Sequence, residues 1–539
     1  MNRKKSKILG LALVAFVIFG SCKKDDFTSS GKRNLTSKNS DDYSHSINLG
    51  THLRNPYTIS VMDSAKAILE LSSPTDASKF IVRVTHRYVK FKPQTWDQYD
   101  LLVADTSLDL YDYPLDYEVS IGDEYHDPQV PIDSPTYQYA AVPANYTFLS
   151  NVPYEILADL YLPEQDPNLF FDGLSNSDLI NKLVDKAMML TGNFDDTIGT
   201  EAYTGNNLKT TFDPSGNVQI YDYGFTHPSP AFTNKYIPLE GVKIRARRWF
   251  TSRWAYTDAA GNYVIRPGFK RPANYLLVFE RKDFDVRKGT FGQATINGPK
   301  SNLPWNLFIS DRRQCFEGHI FRAAFDYYYD CISGIGRPPI KGFLRPKVKI
   351  AAHNKDKAYN AQTHPWVRLL GFYSMIDVWK PDRASAEIYS TTIHELGHAA
   401  HWDRNHRKYN ACENKVAESW CRGIQYVFTQ REYLDRMGLT GFDFWQGWQY
   451  LSTSNATDVK HMQDGYTPIV IDLMDTFNQR VYGNSWVDDK VSGFSIQEIW
   501  NTLNTAETLD DWRNNLKALG KPGVNPSDLD DLFDYYISI

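Results

Sequence analysis

Ser390-Thr-Thr-Ile-His394-Glu395-Leu-Gly-His398-Ala-Ala-His401-Trp402 is the stretch from which the chain reads outward. It contains His-Glu-x-x-His. Side chains four residues apart share one face of a helix. His394 and His398 can therefore offer two imidazole nitrogens to one metal ion, with Glu395 beside the ion's open position. A catalytic zinc takes three protein ligands at about 2.0–2.3 Å and leaves the fourth position to water. A neighbouring carboxylate takes a proton from that water as it attacks a carbonyl. The expected helix is capped by Asp382 or Ser385 and built on Ala384, Ala386, Ile388, Ile393, Leu396, Ala399 and Ala400. Thr391 and Thr392 are weak helix formers, so packing must hold that turn.

A third ligand is expected downstream. Glu418 lies in Asn414-Lys-Val-Ala-Glu418-Ser-Trp-Cys-Arg-Gly-Ile-Gln-Tyr, a second helical stretch with Asn414 as its cap. Ala417, Trp420, Cys421, Ile424, Val427 and Phe428 form its apolar stripe, and Glu418 sits at the edge. A carboxylate beside a core-facing stripe needs a partner, and zinc is one. The alternative for Glu418 is an ordinary surface ion pair, and Glu413 is its nearest rival as ligand. His401 shares the histidine face but lies about 10 Å along the helix axis from His394. One tetrahedral ion does not reach both, which leaves His401 behind the ligands or at the surface.

Over residues 382–430 the chain resembles the gluzincin metallopeptidases, zincins with two helix histidines and a downstream glutamate. The resemblance implies that His394, His398 and Glu418 bind Zn2+ and that Glu395 is the general base. It also implies an oxyanion-stabilising Tyr or His, for which Tyr466 and His461 are the candidates. Zincins commonly place a substrate-lining edge strand before the metal helix. The strand expected at residues 347–352, or the segment 372–378, would serve. The chain departs from related patterns elsewhere. The metzincin pattern requires Gly and His where His401 and Arg404 stand. The thermolysin-like group has an orienting Asp where Arg422 stands.

The chain has 539 residues, 42% hydrophobic and 23% charged, an ordinary globular balance long enough for several cores. A net charge of −5 offers no basic excess to neutralise phosphates, so nucleic acid is not expected as a partner. Aromatic residues are abundant at 14%, enough to line a glycan or peptide groove as well as to fill cores.

Arg3, Lys4, Lys5 and Lys7 precede an apolar run at residues 8–19, too short for a permanent membrane span. The run ends in Phe19-Gly-Ser-Cys22, which resembles a bacterial lipoprotein processing site with Cys22 as the lipidated residue. Residues 1–22 then form a signal peptide and lipobox, and the polar residues 23–46 a disordered tether. Lys23-Lys24-Asp25-Asp26 resembles a surface-export signal of some Gram-negative bacteria; a solvated linker is the alternative. Cys315, Cys331, Cys412 and Cys421 could form two disulfides or stay free; Cys412–Cys421 and Cys315–Cys331 are the pairings considered.

Residues 47–236 read as an N-terminal α+β region, with helices expected at 60–71, 96–104 and 177–190. Strands are expected at 80–84, 87–93, 108–113 and 137–142. It would be a binding module or a pro-domain-like cover. In residues 237–289, Val242, Ile244 and Ala246 alternate with Lys243, Arg245 and Arg247, and Thr257-Asp-Ala-Ala-Gly-Asn262 is turn chemistry. This stretch resembles the carboxypeptidase-regulatory-like, transthyretin-type β-sandwiches. Its basic strand is expected to be a solvated face. Residues 290–539 are mostly helical and zincin-like. The expected fold is thus multidomain α+β: an N-terminal α/β region, a small sandwich and a helical metallopeptidase domain. The expected protein is a monomeric zinc metallopeptidase acting on proteins or glycoproteins. It would sit in the cell envelope as an outer-membrane lipoprotein, held by its lipid anchor and displayed at the surface. The competing reading is a non-catalytic surface lipoprotein that binds glycan or protein.

Overall fold

The computed structural model describes residues 46–171, 174–175, 177–194, 211–224, 235–289, 292–332, 334–342, 347–357, 360–364, 375–436 and 465–539. Cys22, the tether up to residue 45, Trp445, Trp448 and His461 lie outside the described residues. The chain is mixed α+β, built from several separate sheets and many helices. No described helix is long and apolar enough to cross a membrane.

In the N-terminal region, α1 (Ile59–Ser72) buries Val61, Met62, Ala65 and Leu69, a helix-period stripe. The strands β1 (His86–Phe91), β2 (Gln138–Pro143) and β3 (Tyr154–Leu160) make an antiparallel sheet with β1 in the centre. Helix α2 (Trp96–Ala104) is capped by the Thr95 hydroxyl, and α3 (Ser177–Thr191) packs against α1. Two expected strands are absent. Residues 80–84 run unladdered with Ile81 65% exposed, and residues 108–113 make only a single bridge, Tyr111 to Tyr139. Apolar alternation without a neighbouring ladder does not make a strand.

Two further sheets share one buried core. Their strands begin with β4 (Ser215–Asp222), β5 (Lys235–Pro238), β6 (Lys243–Arg248), β7 (Thr251–Tyr256), β8 (Asn262–Val264) and β9 (Ala273–Val278). Then come β10 (Phe284–Lys288), β11 (Thr295–Ser301) and β12 (Leu307–Ile309). One sheet runs β7-β6-β9-β11; the other is β8-β4-β12 with β5 also paired to β4. These sheets draw strands from both sides of residues 237–289.

The basic face of β6 is not solvated, which corrects the sequence reading. Arg245 and Arg247 are only 8% and 2% exposed. Residues 109–115 of the N-terminal region cover them. Arg245 pairs with Asp109 at 3.1 Å and its guanidinium lies over the Tyr111 ring at 4.4 Å. Arg247 donates to the carbonyls of Leu115 and Trp249. A period-2 polar face looks the same in sequence whether water or another protein layer meets it.

After α4 (Arg312–Tyr329), a third sheet is built from β10, β13 (Val348–Ala352), β14 (Ala361–Thr363) and β15 (Ile376–Val378). Its order is β10-β13-β15-β14, parallel except for β14 at the edge. The expected boundary at 289/290 therefore separates β10 from the sheet it belongs to. Helix α4 packs on β10 and β13 and the helix Ser385–Arg404 on β14 and β15, burying Phe284, Val286, Val348, Ile350, Ile376 and Val378. On the reverse face, Arg287 and Lys349 reach Asp100 of α2 at 2.9 and 2.8 Å. All three are less than a tenth exposed. The N-terminal region is thus a layer fixed behind this sheet.

Candidate metal centre

Helix α5 (Ser385–Arg404) carries the histidines. Its N-cap is Ala384, and no side chain caps it. The Ser385 hydroxyl, expected as a cap, instead accepts from Tyr223 N at 2.9 Å, a partner far away in sequence. From Ser385 to His401 all but Glu387 and Thr391 are buried, so α5 is a central helix rather than an amphipathic one. It is followed by α6 (His406–Ala411) and α7 (Asn414–Gln430). Helices α5 and α7 come close at Gly397, where a Cβ would meet Cys421 Sγ at 3.3 Å. Glycine lets the glutamate helix come this near.

Three donor atoms converge between the helices. His394 Nε2 and His398 Nε2 lie 3.2 Å apart. Glu418 Oε2 is 3.2 Å from the first and 3.3 Å from the second. His394, His398 and Glu418 are 4%, 4% and 6% exposed. A tetrahedral ion with bonds of about 2.0 Å holds its ligands about 3.3 Å apart. The donor set therefore fits zinc in element and in spacing. Burial works to raise the Glu418 carboxyl, but the imidazoles of His398 and His394 outweigh it and hold it well below the usual range. Burial likewise disfavours a charged His398, and Glu418 reverses that. Two imidazoles and a carboxylate drawn to one point behave as a cation site would.

The chain matches no family model, no curated protein and no solved structure.

The structure also forms a buried His394, His398, Cys421 group able to hold a metal ion, its ligand atoms within 4.8 Å of one another. A thiolate sharing tetrahedral zinc with an imidazole sits about 3.6 Å from it. The Glu418 triangle meets its spacing more closely than the thiol is required to. Glu413, the rival, is turned away: its carboxylate accepts from Leu509 N at 2.6 Å and it stands at the N-cap of α7.

Glu395 is 2% exposed and held by the edge strand. Thr363 Oγ1 donates to Glu395 Oε2 at 2.6 Å and also lies 3.1 Å from its main-chain oxygen. The edge strand beside the helix is thus β14. The two expected candidates, β13 and the segment ending in β15, are interior strands. β14 has three residues, too few for periodicity to reveal. Tyr466 is half-buried with its ring 5.6 Å from that of His394. It follows Gly465, whose φ of +91° carries the chain across the start of α7 at Asn414.

His401 is not at the surface: it is 2% exposed and stands edge-on to Tyr409, ring centroids 5.0 Å apart. Burial pushes it down to about 3, so it is neutral. No disulfide joins the four described cysteines. Cys315 lies in the first turn of α4 and Cys331 two residues past its end, with about 21 Å of helix axis between Cys315 and Tyr329. Cys412 Sγ points to Tyr409 O at 3.1 Å, while Cys421 faces Gly397. Sequence reasoning missed Thr363, Cys421 as a neighbour of the histidines, and Tyr409. Of these only Cys421 carried a local signal, one turn beyond Glu418 on the same helix.

Proposed function

We propose that this chain is a gluzincin-type zinc metallopeptidase that hydrolyses peptide bonds of proteins or glycoproteins. It would be tethered to the outer membrane by acylation at Cys22 and face the cell surface. The observation that carries the reading is the buried triangle of His394 Nε2, His398 Nε2 and Glu418 Oε2, with edges of 3.2–3.3 Å. Zinc bound to such a set polarises a carbonyl and lowers the pKa of water. Glu395 adjoins the first histidine, and Thr363 fixes its rotamer. It takes a proton from the attacking water and returns it to the leaving amine. Tyr466 offers a hydroxyl to the oxyanion from beside His394. The edge strand β14 brings an open backbone ladder to the same carboxylate.

The test is zinc stoichiometry and peptide hydrolysis on the full-length protein in detergent. The wild type is expected to bind one zinc per chain. Glu418→Ala and His394→Ala lose it, and Glu395→Gln keeps it while hydrolysis falls by about 10²–10⁴-fold. A wild type that binds no zinc after metal reloading overturns the reading.

A further inference from the structure

The two histidines of the triangle are held differently from behind. His398 Nδ1 lies 3.1 Å from the Tyr409 hydroxyl. His394 Nδ1 is buried with no hydrogen-bond partner among the described residues. Tyr409 stands on α6, a short helix that the C-terminal scaffold fixes in place. Asn405 caps α6 by accepting from Lys408 N, and its amide donates to Asn504 O. Lys408 Nζ pairs with Glu507 at 2.6 Å. Arg404 donates to Trp500 O and lies over the Trp500 ring at 4.3 Å. The Tyr409 ring is also pressed against His401. Its hydroxyl is therefore pinned, and it faces the back of one ligand.

We infer that Tyr409 is a positioning residue for the metal centre, an inference that rests on the metal reading of His394, His398 and Glu418. The Tyr409 oxygen accepts the Nδ1–H of His398. That bond selects the tautomer whose Nε2 lone pair points toward His394 and Glu418. It also fixes the ring rotation and raises the basicity of Nε2. Partners of this kind are commonly worth 10–100-fold in metal affinity. His394 has no such support and takes its orientation from packing beside Tyr466.

The test is a competitive zinc titration against a chromogenic chelator, on full-length protein stripped of metal in detergent. Tyr409→Phe removes the hydroxyl and keeps the ring. It is expected to weaken zinc binding by about 10–100-fold, with no change in the melting of the zinc-free protein. Tyr409→Leu, which also removes the packing against His401, is expected to weaken binding at least as much and to lower the zinc-free melting temperature. Wild-type zinc affinity in Tyr409→Phe overturns the inference and leaves the metal reading intact, whatever Tyr409→Leu does. A wild type that binds no zinc overturns both.

Discussion

Two clusters of buried charge lie on opposite sides of the sheet β10-β13-β15-β14. On the helix side, His394, His398 and Glu418 each turn one polar atom to a common point. On the reverse side, Asp100 meets Arg287 and Lys349. Both are nearly closed to water. The reverse cluster supplies its own cations, so its carboxylate is answered by protein. The helix-side cluster has no Lys or Arg among its three members; with the histidines neutral it presents acceptors alone, a set that could hold a metal ion. Convergent acceptors mark a binding centre, whereas matched donors and acceptors mark a joint.

That contrast predicts unequal responses to losing the carboxylate. Asp100→Ala leaves Asp285, 3.5 Å from Arg287, as the remaining carboxylate for two buried cations, and is expected to cost about 3–5 kcal/mol, read as a shift in the denaturant midpoint. Glu418→Ala in the zinc-free protein leaves two imidazoles that can stay neutral. It is expected to cost less than about 1.5 kcal/mol. Equal losses would break the distinction. A third buried carboxylate set lies near the C-terminus. Asp472 accepts from Tyr536 and Gln479, and Asp489 accepts from Val491 N at 2.9 Å. Burial, reinforced by Asp475 and Asp488, pushes Asp489 up to about 8. Its folded pKa stands above the ordinary value of about 3.9. The folded state thus holds a proton that the unfolded state has released, and stability falls as pH rises from about 4 to about 8. Asp489→Asn is expected to flatten that fall in a melting series across this window; an unchanged slope would count against it. The smallest effect is expected at Cys421. Cys421→Ser should leave zinc stoichiometry at one, because Glu418 completes the triangle. Loss of the metal there would move the ligand assignment to the thiol.

The metal helix was legible because its chemistry is tied to a fixed spacing on one element. Glu418 followed from a polar position at the edge of an apolar stripe, and the helices α1, α2 and α3 followed from local rules. What stayed hidden was long-range. Ser385 looked like a cap because nothing near it in sequence names Tyr223. Arg245 and Arg247 looked solvated because the layer that covers them lies well over a hundred residues earlier. β14 was too short to leave a period. Tyr409 has no motif, and only the fold brings it behind His398.

The place of β10 has a practical consequence. Residues 290–539 look like a portable catalytic unit, but cutting there discards Phe284–Lys288, which pairs along β13 from Val348 to Ala352. It also discards Asp100, whose bond to Arg287 spans 187 residues of chain. The truncated piece would present a raw β13 edge and an unanswered Lys349, the features of a strand that pairs with its neighbours in solution. The C-terminal half is therefore not a cartridge to be excised and grafted: it would aggregate alone, and its natural partner is the first half of its own chain.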